Sequence, residues 1–380
     1  MIYLDNAATT RPLDAVAAAV LSALRQAWAN PSSAHRAGLA ARATVEEARA
    51  TVAAYCGIEP HGVVFTSGGT EANHLAVLGL PLRSGTRRIV TTVAEHPSLG
   101  RAAALRRDAE VVTVRLLGNG SVDLDDLERH LDPSVGLVAL FEGHNETGAR
   151  NPIAAIVERV RRKAPRALLH VDAVQSFGKP APPPFSLGVD SAAVSAHKVH
   201  GPKGVGALLL RTRTLLAPLQ VGGGQEADRR SGTENVPGIV GFGAAVAALA
   251  ATPAAAFAAL AARRERLARE LTARIPGARV LAAEGESLPH IVALVLPGVR
   301  SEVVLHHLEQ RGIVASAGAA CHAGSHALSP ALRALGLADD EIRATLRLSL
   351  ARDTSDAEIE AVIAALPPIV AELAALERRA

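Results

Sequence analysis

The chain has 380 residues, of which 49% are hydrophobic and 20% charged, with a formal net charge of +3. That is enough chain for a large domain plus a smaller one. The small net charge, the scattered basic residues and an aromatic share of 2% argue against direct nucleic-acid binding.

Met1-Ile2-Tyr3-Leu4-Asp5 lacks a charged region ahead of an apolar run, so no secretory signal is read there. Beyond it, short apolar runs alternate with helical patterns. The predicted strands are Val63–Thr66, Arg88–Thr92, Val111–Val114, Leu137–Phe141, Leu168–Asp172, Ser191–Ser195 and Gly206–Leu210. Predicted helices include Glu71–Leu78, Ser98–Arg107, Asp123–His130 and Ile153–Ala164. This alternation predicts an α/β fold with a mostly parallel seven-stranded sheet covered on both faces. After about Pro237 the texture changes to a long alanine-rich helical stretch ending near Arg274. Its core, Ala244–Ala262, could mimic a membrane span, but Pro253 interrupts it and Arg263-Arg264-Glu265-Arg266 follows, so a broken helix and no membrane contact are expected. Strands at Ile291–Leu296 and Thr345–Ser349 and a helix near Asp356–Arg379 complete a smaller α+β domain. The expected division assigns residues 15–250 to the large domain and residues 1–14 with 251–380 to the small one.

Several segments carry residue types suited to chemistry. In Thr66-Ser67-Gly68-Gly69-Thr70-Glu71 a strand ends and a helix begins. Free backbone N–H groups and the helix dipole make an anion site there, and Gly68 and Gly69 allow a phosphate to approach; an ordinary capped helix has the same look. His96 lies between a strand and a helix, at the sheet edge where open α/β folds bind ligands, where it is either a proton carrier or a polar helix start. Asp172 ends a buried-looking strand and needs a strong partner, such as a protonated pyridine nitrogen; otherwise it caps a helix.

Only Lys163, Lys179, Lys198 and Lys203 stand against a background of arginine. Arginine cannot form an imine, so these lysines are the candidates for carbonyl chemistry. Lys198 follows a strand end and is flanked by Ser195 and His197, both suited to phosphate. Lys203 is its rival, in a glycine-flanked turn. Cys56 and Cys321 give no disulfide framework, and a reducing, cytoplasmic setting is expected. Cys56 sits in a helical context and reads as a small hydrophobe. Cys321 sits among small residues in Ser316-Ala317-Gly318-Ala319-Ala320-Cys321-His322-Ala323-Gly324-Ser325-His326, beside an imidazole that can lower a thiol's pKa.

Together these segments resemble the cysteine desulfurases of pyridoxal phosphate (PLP) fold type I, grouped with the class V aminotransferases. The resemblance runs from Tyr3-Leu4-Asp5-Asn6-Ala7-Ala8-Thr9-Thr10 to Arg347-Leu348-Ser349-Leu350-Ala351-Arg352. Its most specific stretches are Ser195-Ala196-His197-Lys198-Val199-His200-Gly201-Pro202-Lys203-Gly204 and Arg230-Ser231-Gly232-Thr233-Glu234-Asn235-Val236-Pro237. It implies PLP as cofactor, with Lys198 as the imine lysine, Asp172 paired to the pyridine nitrogen, His96 stacked on the ring and Gln175 on its phenolic oxygen. Gly69, Thr70, Ser195 and His197 would hold the phosphate, and Thr233 would reach it from the other subunit of a homodimer. Asn145 and Arg347 would hold the substrate carboxylate, with Asn30 and His35 lining the pocket. Cys321 would take the sulfur of L-cysteine as a persulfide, releasing alanine, and pass it to an acceptor protein.

Two places depart from the family's commonest pattern. Phe141-Glu142-Gly143-His144 precedes Asn145 where a small residue and two asparagines are usual. His322 follows the cysteine where Ser or Thr is common. Ala319-Ala320-Cys321-His322 resembles selenocysteine lyases and some specialised desulfurases, including those serving DNA phosphorothioation, whereas the spacing to Leu335-Gly336 matches the long-loop desulfurases. A selenocysteine lyase and an aminotransferase that does not use Cys321 are therefore the alternatives.

Overall fold

A computed structural model describes residues 1–180, 184–212, 214–318 and 328–377; Cys321 and His322 lie outside the described residues. From the N-terminus, β1 (Ile2–Tyr3) is followed by α1 (Asp14–Gln26) and α2 (Arg36–Cys56). The chain then alternates through β2 (Val63–Thr66), α3 (Gly69–Gly79), β3 (Arg88–Thr92), α4 (Pro97–Leu105), β4 (Glu110–Val114), α5 (Leu124–His130), β5 (Val135–Phe141) and α6 (Ile153–Lys163). It continues into β6 (Leu168–Asp172), β7 (Ser191–Ser195), β8 (Gly206–Leu210) and α7 (Val236–Ala250).

Strands β2 to β8 form one seven-stranded sheet in the order β2-β8-β7-β6-β5-β3-β4. The run from β4 to β7 is parallel throughout, and β8 is antiparallel to both of its neighbours. Parallel strands are covered by helices on both faces. Accordingly every residue of β5, β7 and β8 is buried, which is why they read as unbroken apolar runs. Leu75, Leu99 and Leu137 pack in the core on the α3–α4 side; Val45, Val52, Phe242 and Val246 of α2 and α7 pack in the core on the other. β4 and β5 begin earlier than the apolar pattern indicates, because Glu110 and Val135 both pair with Arg88. Backbone pairing is indifferent to side-chain polarity.

The break expected at Pro253 is present: α7 and α8 (Ala254–Arg274) meet at 88°. The bend carries the chain from the first core to a second. There β9 (Arg279–Val280), β10 (Ile291–Val295), α9 (Ser301–Glu309), β11 (Ile313–Val314), β12 (Ser316–Ala317), α10 (Pro330–Ala334), α11 (Asp339–Arg343), β13 (Thr345–Ser349) and α12 (Asp356–Glu377) follow. A four-stranded antiparallel sheet, β12-β13-β10-β9, lies beside the parallel pair β1–β11. α12 is long and apolar enough to cross a membrane by length and composition. Its Ile359, Val362, Ile363 and Leu366 are instead buried with Leu267, Leu294 and Leu348 in the second core.

The N-terminal segment joins the two halves. Asn6 N donates to Ser349 O and Ser349 N to Leu4 O. A few residues on, Thr10 N donates to His197 O.

Candidate active site

The chemistry-bearing residues converge at the carboxyl ends of the parallel strands, the edge at which open α/β sheets bind ligands. β2 delivers the turn into α3, β3 delivers His96, β5 Gly143 to Asn145, β6 Asp172, and β7 Ser195 followed by a single helical turn, Ala196–Lys198. From the second sheet comes Arg347, and from the N-terminal segment Ala7 and Ala8. Together they line one cavity of about 270 Å³, whose walls also include Gly69, Thr70, Asn73, Gln175 and His197.

Local sequence explains the placement. His96 caps α4, with Pro97 at the first helical position where its missing N–H costs nothing. Its Nδ1 accepts from Ser98 N at 3.1 Å. The α3 turn fits only glycine. A Cβ on Gly69 would stand 2.5 Å from Val174 Cγ2, and one on Gly206 would stand 2.5 Å from Val194 O and 2.8 Å from the backbone of Gly68.

Asp172 is buried and its carboxylate accepts from Asn73 Nδ2 at 2.7 Å and Val174 N at 3.0 Å. Lys198 Nζ donates to the carbonyls of Ala7 at 2.6 Å and Ala8 at 2.9 Å, and Gln175 Nε2 donates to the same Ala7 oxygen at 2.8 Å. Burial, with the charges of Lys198 and Lys203, pulls the His197 imidazole down to about 4. Arg347 is 1% exposed; its Nη1 donates to Asn145 O and its Nη2 to Asp5 Oδ1, both at 2.8 Å. Arg347 Nε has no hydrogen-bond partner among the described residues.

The segment that departs from the family pattern has a structural account. Burial pulls His144 down to about 4, so it is neutral. Its Nδ1 accepts from the backbone N–H groups of Glu146 and Thr147, and its Nε2 donates to Ala94 O at 3.0 Å. His144 thus closes the turn that carries Asn145. Glu142 is tied to Arg150 and Ser176. A Cβ on Gly143 would meet Leu288 at 2.9 Å, so the position admits little else.

Three expected site residues lie elsewhere. Asn30 and His35 are exposed: Asn30 Oδ1 accepts from Ser32 N, and His35 caps α2 through Gly38 N. Thr233 is exposed as well, and none of the three lines the cavity of its own chain. Their neighbours meet instead around an open groove of about 580 Å³, lined by Pro31, Ser32, Gly224 and Glu234. Cys56 behaves as the small hydrophobe expected, since burial pushes its thiol up to about 12. Sequence reasoning assigned no role to Asp5, Asn73 or the Ala7 and Ala8 carbonyls. Asn73 stood inside an apolar helical face, which was the one available signal.

The cavity suits the cofactor that the resemblance implies. Ser195 Oγ is buried without a hydrogen-bond partner among the described residues. It lines the cavity with the start of α3, whose first N–H groups have no intrahelical acceptor. A hydroxyl left unpaired among the described residues, beside N–H groups that the helix itself does not satisfy, is suited to cradle a phosphate. Asp172 lines the same cavity; two donors, Asn73 Nδ2 and Val174 N, hold its carboxylate, whose remaining lone pairs suit a protonated ring nitrogen.

The chain matches the family description "Aminotransferase class-V" over residues 2–362. It is 39% identical over 379 residues to a cysteine desulfurase of Trichormus azollae, covering 99% of this chain and 94% of that one. It is 39% identical over 382 residues to a cysteine desulfurase of Klebsiella pneumoniae, with the same coverage. A solved NifS-like protein superimposes with a TM-score of 0.89 at 32% identity, covering 98% of this chain and 100% of that one.

Proposed function

The chain belongs to the class V aminotransferase family, and from that membership we propose that it is a PLP-dependent cysteine desulfurase. It converts L-cysteine to L-alanine and leaves the sulfur as a persulfide on Cys321. The observation that carries this is the single cavity uniting Lys198, Asp172 and Arg347: an amine, a carboxylate for a ring nitrogen and a guanidinium for an amino-acid carboxylate.

PLP, when bound, supplies an aldehyde for amine exchange and a protonated ring that withdraws electrons. The residues present divide the remaining work. Gly69, Thr70, Ser195 and His197 would hold the phosphate, Gln175 the phenolic oxygen and Asp172 the ring nitrogen. Arg347, registered by Asp5 and the Asn145 carbonyl, takes the substrate carboxylate, and Asn145 supports it. Lys198 holds its amine on the Ala7 and Ala8 carbonyls, ready for exchange and for proton transfer. His96, which lines the cavity, would lie over the ring and move a proton there. The Cys321 thiolate accepts the sulfur: one S–S bond forms and the substrate C–S bond breaks, so that cysteine and thiol become alanine and persulfide.

The enzyme acts as a homodimer in the cytoplasm and delivers its persulfide to an acceptor protein. Support for the dimer comes from the exposed apolar Leu24, Trp28, Leu39, Leu219 and Val221. They lie in the same stretches of chain as Asn30, His35 and Thr233, which do not line their own cavity and would complete that of the partner.

The test uses purified protein with L-cysteine and a thiol reductant. Equimolar alanine and sulfide are expected, and Cys321→Ser should keep the cofactor absorption band yet release almost no sulfide. Undiminished turnover by Cys321→Ser would refute the persulfide route in favour of an aminotransferase. A strong preference for selenocysteine in kcat/KM would make the enzyme a selenocysteine lyase. A colourless protein that ignores added PLP would remove the cofactor.

A further inference from the structure

Asn73 lies in α3 and is 1% exposed. Its amide touches three polar side chains, and the direction of each bond follows from donor and acceptor counting. The Ser98 backbone N–H, which can only donate, points at His96 Nδ1 at 3.1 Å. That nitrogen therefore carries a lone pair. The Ser98 hydroxyl, 2.7 Å from the same atom, must donate to it.

Ser98 Oγ is then an acceptor, and Asn73 Nδ2 supplies it at 2.9 Å. The second N–H of Asn73 goes to Asp172 Oδ2 at 2.7 Å. Both amide protons are spent, so Asn73 Oδ1 must accept from His170 Nε2 at 3.0 Å, and the Ser191 hydroxyl donates to His170 Nδ1 at 2.9 Å. His170 is fully buried, and burial pulls it down to about 3. It is therefore neutral, as a chain with one direction requires.

We propose that Asn73 is a positioning residue that fixes two groups at once: the His96 imidazole, held with its proton on Nε2, and the Asp172 carboxylate, held in one rotation. The proposal deepens the reading of the cavity as a PLP site and rests on it. On that reading His96 and Asp172 meet the cofactor from the ring face and from the ring nitrogen, and one amide aligns both. His170 and Ser191 keep that amide from flipping. His96 Nδ1, already occupied by two donors from Ser98, cannot act as a base in the resting protein; the proton His96 can move is the one on Nε2.

Two measurements test this. In protein labelled with ¹⁵N-histidine, with the His96 signals assigned by comparison with His96→Gln, wild type should show Nδ1 unprotonated and Nε2 protonated. A proton on Nδ1 would overturn the proposal. In Asn73→Leu, which keeps the volume but removes the amide, the PLP dissociation constant should rise by about tenfold or more, the scale of a lost hydrogen bond to a charged group, and the His96 signals should shift. Unchanged affinity with unchanged signals would also overturn it. Should Asn73→Leu fail to fold, Ser98→Ala removes the hydroxyl that links Asn73 to His96 and leaves the Asn73–Asp172 bond in place. It should move the His96 Nδ1 resonance while changing PLP affinity little, and an unmoved resonance counts against the network. The tautomer can be read in the apoprotein, so a failure of the PLP reading remains distinguishable from a failure of this one.

Discussion

Glu146, the residue after Asn145, offers a pH-dependent test of the structure. Its side chain is 6% exposed and its Oε2 accepts from Ser329 Oγ at 2.6 Å; Ser329 is itself fully buried and caps α10. Burial raises the carboxyl from 4.5 to about 7, against the opposing pull of Ser329 and Arg347. The sign follows from proton counting. Between pH 4.5 and 7 the folded protein holds a proton that the unfolded chain has released, so stability falls as pH rises through that window. The separation, 7 − 4.5, at about 1.4 kcal/mol per pH unit gives a loss of up to about 3 kcal/mol. Glu146→Gln keeps the acceptor for Ser329 and has no proton to lose. The variant should match wild type near the acid end and exceed it by up to about 3 kcal/mol above neutrality. Denaturant midpoints of both proteins, taken at steps across this range, measure the difference directly. Because the chain folds around more than one core, the comparison between proteins matters more than either absolute value. Parallel curves for wild type and variant, with no divergence as pH rises, would refute the assignment of a neutral buried carboxyl.

Other substitutions probe separate parts of the fold. Glu226 is buried and accepts from Arg49 Nη1 at 2.7 Å, Arg49 Nη2 at 2.8 Å and Phe65 N at 2.9 Å, while Glu226, Ala227 and Asp228 all adopt left-handed backbone. Arg49→Leu leaves that carboxylate with one donor and should cost about 3–5 kcal/mol, seen as a lowered denaturant midpoint. Gly206→Ala drives a methyl against Val194 O and the Gly68 backbone, neither of which can rotate away. It should cost about 1–3 kcal/mol and lower the PLP retained per chain after dialysis, read by absorbance. Arg347→Lys replaces a planar fork by a point charge; KM for cysteine should rise by about tenfold or more, the loss of one charge-assisted hydrogen bond, with the cofactor band intact.

The large sheet was legible because its inner strands are buried on both faces, so that composition alone marks β5, β7 and β8. α1 and α2 were not singled out. The buried face of α2 relies heavily on alanine, through Ala41, Ala48 and Ala53, and alanine contrasts weakly with its surroundings. In the site, His96, Asp172 and Ser195 could be placed because each stands at the end of a strand that the sequence marks. That Asn30, His35 and Thr233 stand away from the cavity depends on how the chain packs in three dimensions, which residue order does not encode. Asn73 was visible as a polar residue on an apolar face, but its partners come from α4 and β6.

The N-terminal segment shows most plainly where side-chain patterns stop. Lys198 comes from the large sheet and Arg347 from the small one, and no hydrogen bond between them is needed to set their spacing. Asp5 takes Arg347, Ala7 O takes both Lys198 and Gln175, and Thr10 holds the Lys198 turn by accepting from His200 N and donating to His197 O. Meanwhile Leu4 O, Asn6 N and Ala7 N are bound to Ser349, two residues beyond Arg347. A few residues around one turn thus register the Lys198 amine against the Arg347 guanidinium. Most of those contacts use backbone atoms, which every residue carries. The sequence can reveal only their steric condition, small side chains at positions 7 and 8. There Ala7 is buried, and the carbonyls of Ala7 and Ala8 reach Lys198 without hindrance. The large and small sheets share one cavity partly because this backbone strap joins them, alongside the side-chain pair Ser329–Glu146 and the Arg347 bond to Asn145 O.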